Sequence, residues 1–101
     1  MAVTNVRAKE SGLADSAVLA ADTAVKTEAG KVYWISVTDS ADLSIELNDS
    51  ADNSGTDRWA MKLDIDVINF GHFVFDPPIE FHEGIYCDVS TTTCLVTIGW
   101  V

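Results

Sequence analysis

Residues 58–68 (RWAMKLDIDVI) alternate apolar and polar side chains along their whole length. Trp59, Met61, Leu63, Ile65 and Val67 fall on one phase, and Ala60, Lys62, Asp64 and Asp66 on the other. A period of two fits the pleat of a strand and not the 3.6-residue turn of a helix. A slip of one residue would carry Lys62 and two aspartates into the core, so the register of this strand is strongly fixed. One dry face and one wet face mark a strand of an antiparallel sheet.

The rest of the chain follows the same grammar. Residues 43–47 (LSIEL) alternate with Leu43, Ile45 and Leu47 inward. Residues 32–39 (VYWISVTD) are rich in β-branched and aromatic side chains and form a further strand. Tyr33, Ile35 and Val37 share one of its faces, and Val32, Trp34, Ser36 and Thr38 the other. Both faces carry bulk, so either both are covered or Trp34 is exposed. Residues 16–27 (SAVLAADTAVKT) read as short strands despite their alanines, with a turn at 28–31. Residues 48–57 (NDSADNSGTD) are a polar loop whose Ser, Asn and Asp side chains cap its own backbone.

Residues 70–89 begin as an aromatic run and break at Asp76-Pro77-Pro78. Proline has no N–H, so two of them cannot sit in a central strand. The reading is strand, proline corner, edge piece, turn at Gly84 with positive φ, strand. Residues 85–101 read as a terminal hairpin in which Cys87 opposes Cys94. The fold class expected is all-β: an antiparallel β-sandwich, jelly-roll-like, of seven to nine short strands.

The chain has 101 residues, enough for one domain, here placed at 16–101. Residues 1–15 show no period and are expected to be a flexible N-terminal arm that orders only against a partner. The net charge is −10, and no basic residue follows Lys62, which excludes phosphate-tracking nucleic-acid binding. No apolar run reaches the length of a membrane span, and the first residues lack the apolar centre of a secretory signal. Without export, Cys87 and Cys94 are expected to be reduced, buried thiols.

Chemistry is sparse. His72 and His82 flank the proline corner, near Glu80 and Glu83, and a metal or acid–base cluster there would need them to meet across it. Each alternates with a phenylalanine, which places them on outward faces instead. The acids of 48–57 lack the alternating oxygens and the closing glutamate of a calcium loop. No phosphate loop, nucleophile elbow or Cys-x-x-Cys occurs. No catalytic, cofactor or metal residue is therefore assigned, and an enzyme is not expected. Trp59 and Trp100 lie on apolar phases and belong to the core, whereas Trp34 is a candidate contact.

The order of features also resembles a known group. Gly30-Lys31-Val32-Tyr33 opens a strand; Leu47-Asn48-Asp49-Ser50-Ala51 with Ser54-Gly55 forms a polar loop; Pro78-Ile79-x-Phe81-x-x-Gly84-Ile85-Tyr86-x-Asp88-Val89 precedes the last strand. Over residues 23–101 this resembles the small β-sandwich accessory virion proteins of tailed bacteriophages. The resemblance implies a non-enzymatic structural protein, first of all a capsid decoration (cement) protein on the capsid exterior, assembled in the host cytoplasm. Its partners would be the major capsid protein and copies of itself, as a homotrimer, with no nucleic acid, membrane or cofactor. Arg7, Lys9 and Trp34 are the contact residues expected. A neck, head-completion or tail component is the alternative within that group, and a carbohydrate-binding module in host recognition the alternative outside it.

Overall fold

The computed structural model describes residues 15–101. The arm with Arg7 and Lys9 lies outside the described residues. Eight strands are found among those described: β1 (Asp15–Leu19), β2 (Thr23–Lys26), β3 (Gly30–Thr38), β4 (Leu43–Asp49), β5 (Thr56–Leu63), β6 (Phe70–Phe81), β7 (Ile85–Val89) and β8 (Leu95–Trp100). They form two four-stranded antiparallel sheets, ordered β1-β8-β3-β6 and β2-β7-β4-β5. The pairing is nested. β4 pairs with β5, β3 with β6, β2 with β7 and β1 with β8, as if one long hairpin had been rolled up.

The core lies between the sheets. The first contributes Leu19, Val32, Ile35, Val37, Phe81, Val96 and Ile98; the second contributes Leu43, Ile45, Leu47, Leu63, Ile85 and Cys87. Each such aliphatic side chain contributes roughly 1.5–3 kcal/mol by leaving water. On one flank the sheets are closed by aromatic packing between their edge strands. Trp59 of β5 meets Phe73 and Phe75 of β6 at ring-centroid distances of 5.5 and 5.9 Å. Trp59 and Trp100 are half-buried against the core, as their phases imply.

Two short strands do occupy the alanine-rich segment, and 43–47 alternates as read. Four expectations fail, each for a local reason. First, β3 carries a bulge between Val32 and Trp34, where both of its neighbours shift register. The bulge moves Val32 to the core phase with Ile35 and Val37, leaving Tyr33 only half-buried. Second, β5 stops at Leu63 and does not run to Ile68. The Asp42 carboxylate takes the Ile65 N–H at 2.9 Å, and the Asp64 carbonyl takes the N–H groups of Val67 and Ile68 at 2.8 and 2.9 Å. These captures bend the backbone away from the ladder and leave Val67 79% exposed, outside the core it was expected to join.

Third, the prolines do not divide two strands. β6 is one long edge strand whose register jumps from Val74 opposite Trp34 to Ile79 opposite Val32, and Pro77 and Pro78 occupy the bulged residues. The Asp76–Pro77 peptide is cis. An edge bulge tolerates residues that cannot donate to a ladder. Gly84, for its part, has no positive φ. It is needed because a Cβ would stand 2.6 Å from the Ser50 carbonyl oxygen. Fourth, there is no terminal hairpin: β7 and β8 belong to different sheets, and the chain crosses between them. Cys87 faces Thr23 and Leu47, not Cys94. Both cysteines are buried free thiols.

The crossing is held by Asp39, which is 6% exposed. Its carboxylate accepts the hydroxyls of Thr91 and Thr93 at 2.6 and 2.5 Å, and the N–H groups of Ser40 and Ala41 at 2.7 and 3.2 Å. Burial alone would raise its pKa, but these donors outweigh it and hold the carboxyl below its ordinary value.

Candidate interaction face

Beyond the bulge, β3 turns Trp34, Ser36 and Thr38 away from the core, and both neighbouring strands follow in register. Thr38 lies opposite Phe70 and Leu95, Ser36 opposite His72 and Thr97, and Trp34 opposite Val74 and Gly99. These three rows carry one ionisable side chain, His72; farther along the same strands Asp76, Glu80 and Lys31 are exposed as well. The outer face of the other sheet is different in kind. There Glu46 lies between Ala60 and Asp88, and Ser44 lies opposite Lys62. Burial, and then the Asp22 carboxylate, push the Asp88 carboxyl above its ordinary value. Charge is thus interleaved along one outer face, and is sparse around Trp34, Ser36 and Thr38 on the other.

At one end the outer face of β3, β6 and β8 is strongly apolar. Phe70 is 55% exposed and Leu95 53%, and Thr38 sits between them. Ile68, two residues before Phe70, is also exposed, as is Val67 on the tip of the preceding turn. That turn is braced rather than loose: besides the bonds that end β5, the Asp64 carboxylate accepts the Asp66 N–H at 3.0 Å. Exposed apolar side chains grouped in this way make this end a candidate contact surface.

At the other end stands Trp34, half-buried. Its indole occupies the space where a side chain at position 99 would be. A Cβ on Gly99 would fall against Nε1, Cε2 and Cδ1 together, so the ring lies across the glycine with its pyrrole part above the backbone. His72 stands 6.2 Å from the indole, centroid to centroid, and its Nδ1 is 2.5 Å from the Ser36 hydroxyl. Trp34, Ser36, His72, Val74 and Thr97 line a shallow depression of about 510 Å³.

His82 is not part of this face. It follows the far end of β6, where its N–H and that of Glu83 donate to the Asp49 carboxylate at 2.9 and 2.8 Å. Burial opposes ionisation of Asp49, yet these donors and the Gly84 N–H hold its pKa low. The two histidines do not meet, and no group of three or more His, Cys, Asp or Glu side chains among the described residues could hold a metal ion. The polar loop is shorter than the expected 48–57, because β4 runs to Asp49 and β5 begins at Thr56; within it Asp52 accepts from Ser50 and Ser54, as a self-capping loop should.

Phe70, Val74 and Leu95 were not singled out by sequence reasoning. The signal was present: 70–75 (FGHFVF) is apolar on both phases, and a core needs only one. The same pattern marks Trp34, on the strand beside it. Comparison with family models, with curated proteins and with solved structures returns no match for this chain.

Proposed function

We propose that this chain is a non-enzymatic β-sandwich protein of a tailed-phage virion, jelly-roll-like, that decorates the capsid exterior by binding the major capsid protein. The nested pairing and the orders β1-β8-β3-β6 and β2-β7-β4-β5 support the jelly-roll reading, an architecture that capsid domains use. The observation that carries the function is the exposed apolar end formed by Phe70, Leu95 and Ile68 on a chain of net charge −10. Such a chain repels its own copies and other acidic surfaces almost everywhere else. An exposed apolar end is where it can approach a shell, and burying two or three large side chains there supplies several kcal/mol at roughly 1.5–3 kcal/mol each.

The anchor therefore moves from Trp34, the residue expected from sequence, to Phe70 and Leu95. Arg7 and Lys9 of the arm remain the proposed second contact. Association into a trimer would multiply a modest contact by avidity. Cryo-electron microscopy of shells incubated with the protein tests this. Density over the whole shell surface is expected, and its loss with Phe70→Asp combined with Leu95→Asp. A few copies at the neck or tail would refute decoration and leave the alternative of a neck or tail component.

A further inference from the structure

We infer that the Trp34 depression is a binding site for neutral saccharides. The inference does not depend on attachment to a shell, and the apolar anchor at the opposite end of the face leaves the depression open.

The geometry of the depression selects this ligand class. The indole lies over Gly99, so one ring face is covered by backbone and the other is turned to the depression. The C–H groups on one side of a pyranose are weakly positive and stack on the negative face of a flat, supported ring. Replacing Gly99 by any larger residue would lift the ring off the sheet, so glycine is part of the platform. Around it stand hydrogen-bonding side chains. The Thr97 hydroxyl borders the depression, and the Ser36–His72 pair engages Nδ1 and leaves Nε2 free to meet a sugar hydroxyl. The pair fixes the imidazole's orientation whichever group donates.

Charge and shape exclude the competitors for an aromatic platform. A nucleic-acid strand also stacks on exposed indoles, but its phosphates would approach a chain of net charge −10 with no basic stripe. A proline-rich peptide needs a groove between aromatic ridges, and here a single tryptophan lines the depression. Among the described residues no carboxylate lines it. About 510 Å³ falls within the size range of small-molecule sites.

The test is a titration of the ¹⁵N-labelled free chain with maltoheptaose, cellopentaose and chitopentaose, followed by NMR. At least one is expected to move the Trp34 indole N–H and the amides of Ser36, His72 and Thr97, with a dissociation constant of about 0.1–1 mM. Trp34→Ala should weaken binding at least about tenfold, and Trp34→Tyr should restore part of it. Should Trp34→Ala not fold, Thr97→Val keeps the shape, removes one hydroxyl and should weaken binding about threefold or more. The inference is overturned if no saccharide moves the Trp34 signal at about 10 mM, a concentration at which even millimolar affinity would show. It is equally overturned if Trp34→Ala binds unchanged, or if an oligoproline or oligothymidylate probe binds in place of the sugars.

Discussion

Replacing Asp39 by alanine should be among the most damaging single changes to an unexposed polar group in this chain. The carboxylate accepts four hydrogen bonds: two tie the end of β3 to its own turn, and two tie that turn to the crossing between the sheets. Hydrogen bonds to a charged group contribute roughly 1.5–3 kcal/mol each when one partner is removed, though bonds sharing one carboxylate do not add fully. A loss of about 3–4 kcal/mol is expected, a large share of the roughly 5–15 kcal/mol that stabilises a typical domain. Asp39→Asn keeps an oxygen for three donors and asks only Thr91 to reverse, so about 1–2 kcal/mol is expected.

The two variants also differ in acid. The folded-state pKa of Asp39 lies below its ordinary value. The stability it contributes is therefore fully present above the unfolded-state value of about 3.9, and is lost as pH falls through the lower folded-state value. Urea unfolding followed by circular dichroism from pH 7 to pH 3 measures this. The gap between wild type and Asp39→Asn should narrow below about pH 4. A loss under about 1 kcal/mol for Asp39→Ala, or a gap that stays constant across that range, would refute the role given to Asp39.

Three further outcomes are expected. Cys87 is sealed in the core, and burial, followed by the nearby Cys94, pushes its thiol up to about 12; the native chain should therefore react slowly with a thiol reagent at pH 8, and rapid labelling without denaturant would contradict its burial. Gly99→Ala should cost about 1–3 kcal/mol through overpacking and red-shift the tryptophan emission as the indole lifts into water; an unshifted spectrum would contradict the platform geometry. Phe70→Asp with Leu95→Asp should leave the unfolding free energy within about 1 kcal/mol of wild type, because both side chains are largely exposed; a larger loss on urea titration would make them core residues and not an anchor.

Where apolar residues sit on one phase only, as at Leu43, Ile45 and Leu47, the fold was legible from the sequence, because burial alone decides the register. It was illegible where a side chain elsewhere in the chain redirects the backbone. Nothing between residues 58 and 68 shows that Asp42 will take an N–H from Ile65, so the alternation there promised a longer strand than forms. Nothing in Cys87 or Cys94 shows that Asp39 will draw Thr91 and Thr93 across to the other sheet. The bulge beside Tyr33 has no turn residue to announce it, yet it decides that Val32 is core and places Trp34 in line with Gly99. The candidate face was visible only in outline, through strands with bulk on both phases.

The nesting of the strand pairs sets an order of assembly. The β4–β5 pair joins neighbours across a short loop, whereas β1 meets β8 with Asp15 beside Trp100, almost the full described chain apart. Closing a loop costs more conformational entropy as it lengthens, so pairs form most readily from the inside outward, and each completed pair shortens the closure left for the next. Folding should be slow for a chain of this size, with the β4–β5 ladder protected early from hydrogen exchange and the β1–β8 ladder last. β1 is then the last strand to lock and the first to loosen. Early protection of β1 in a pulse-labelling experiment would contradict that sequence of events.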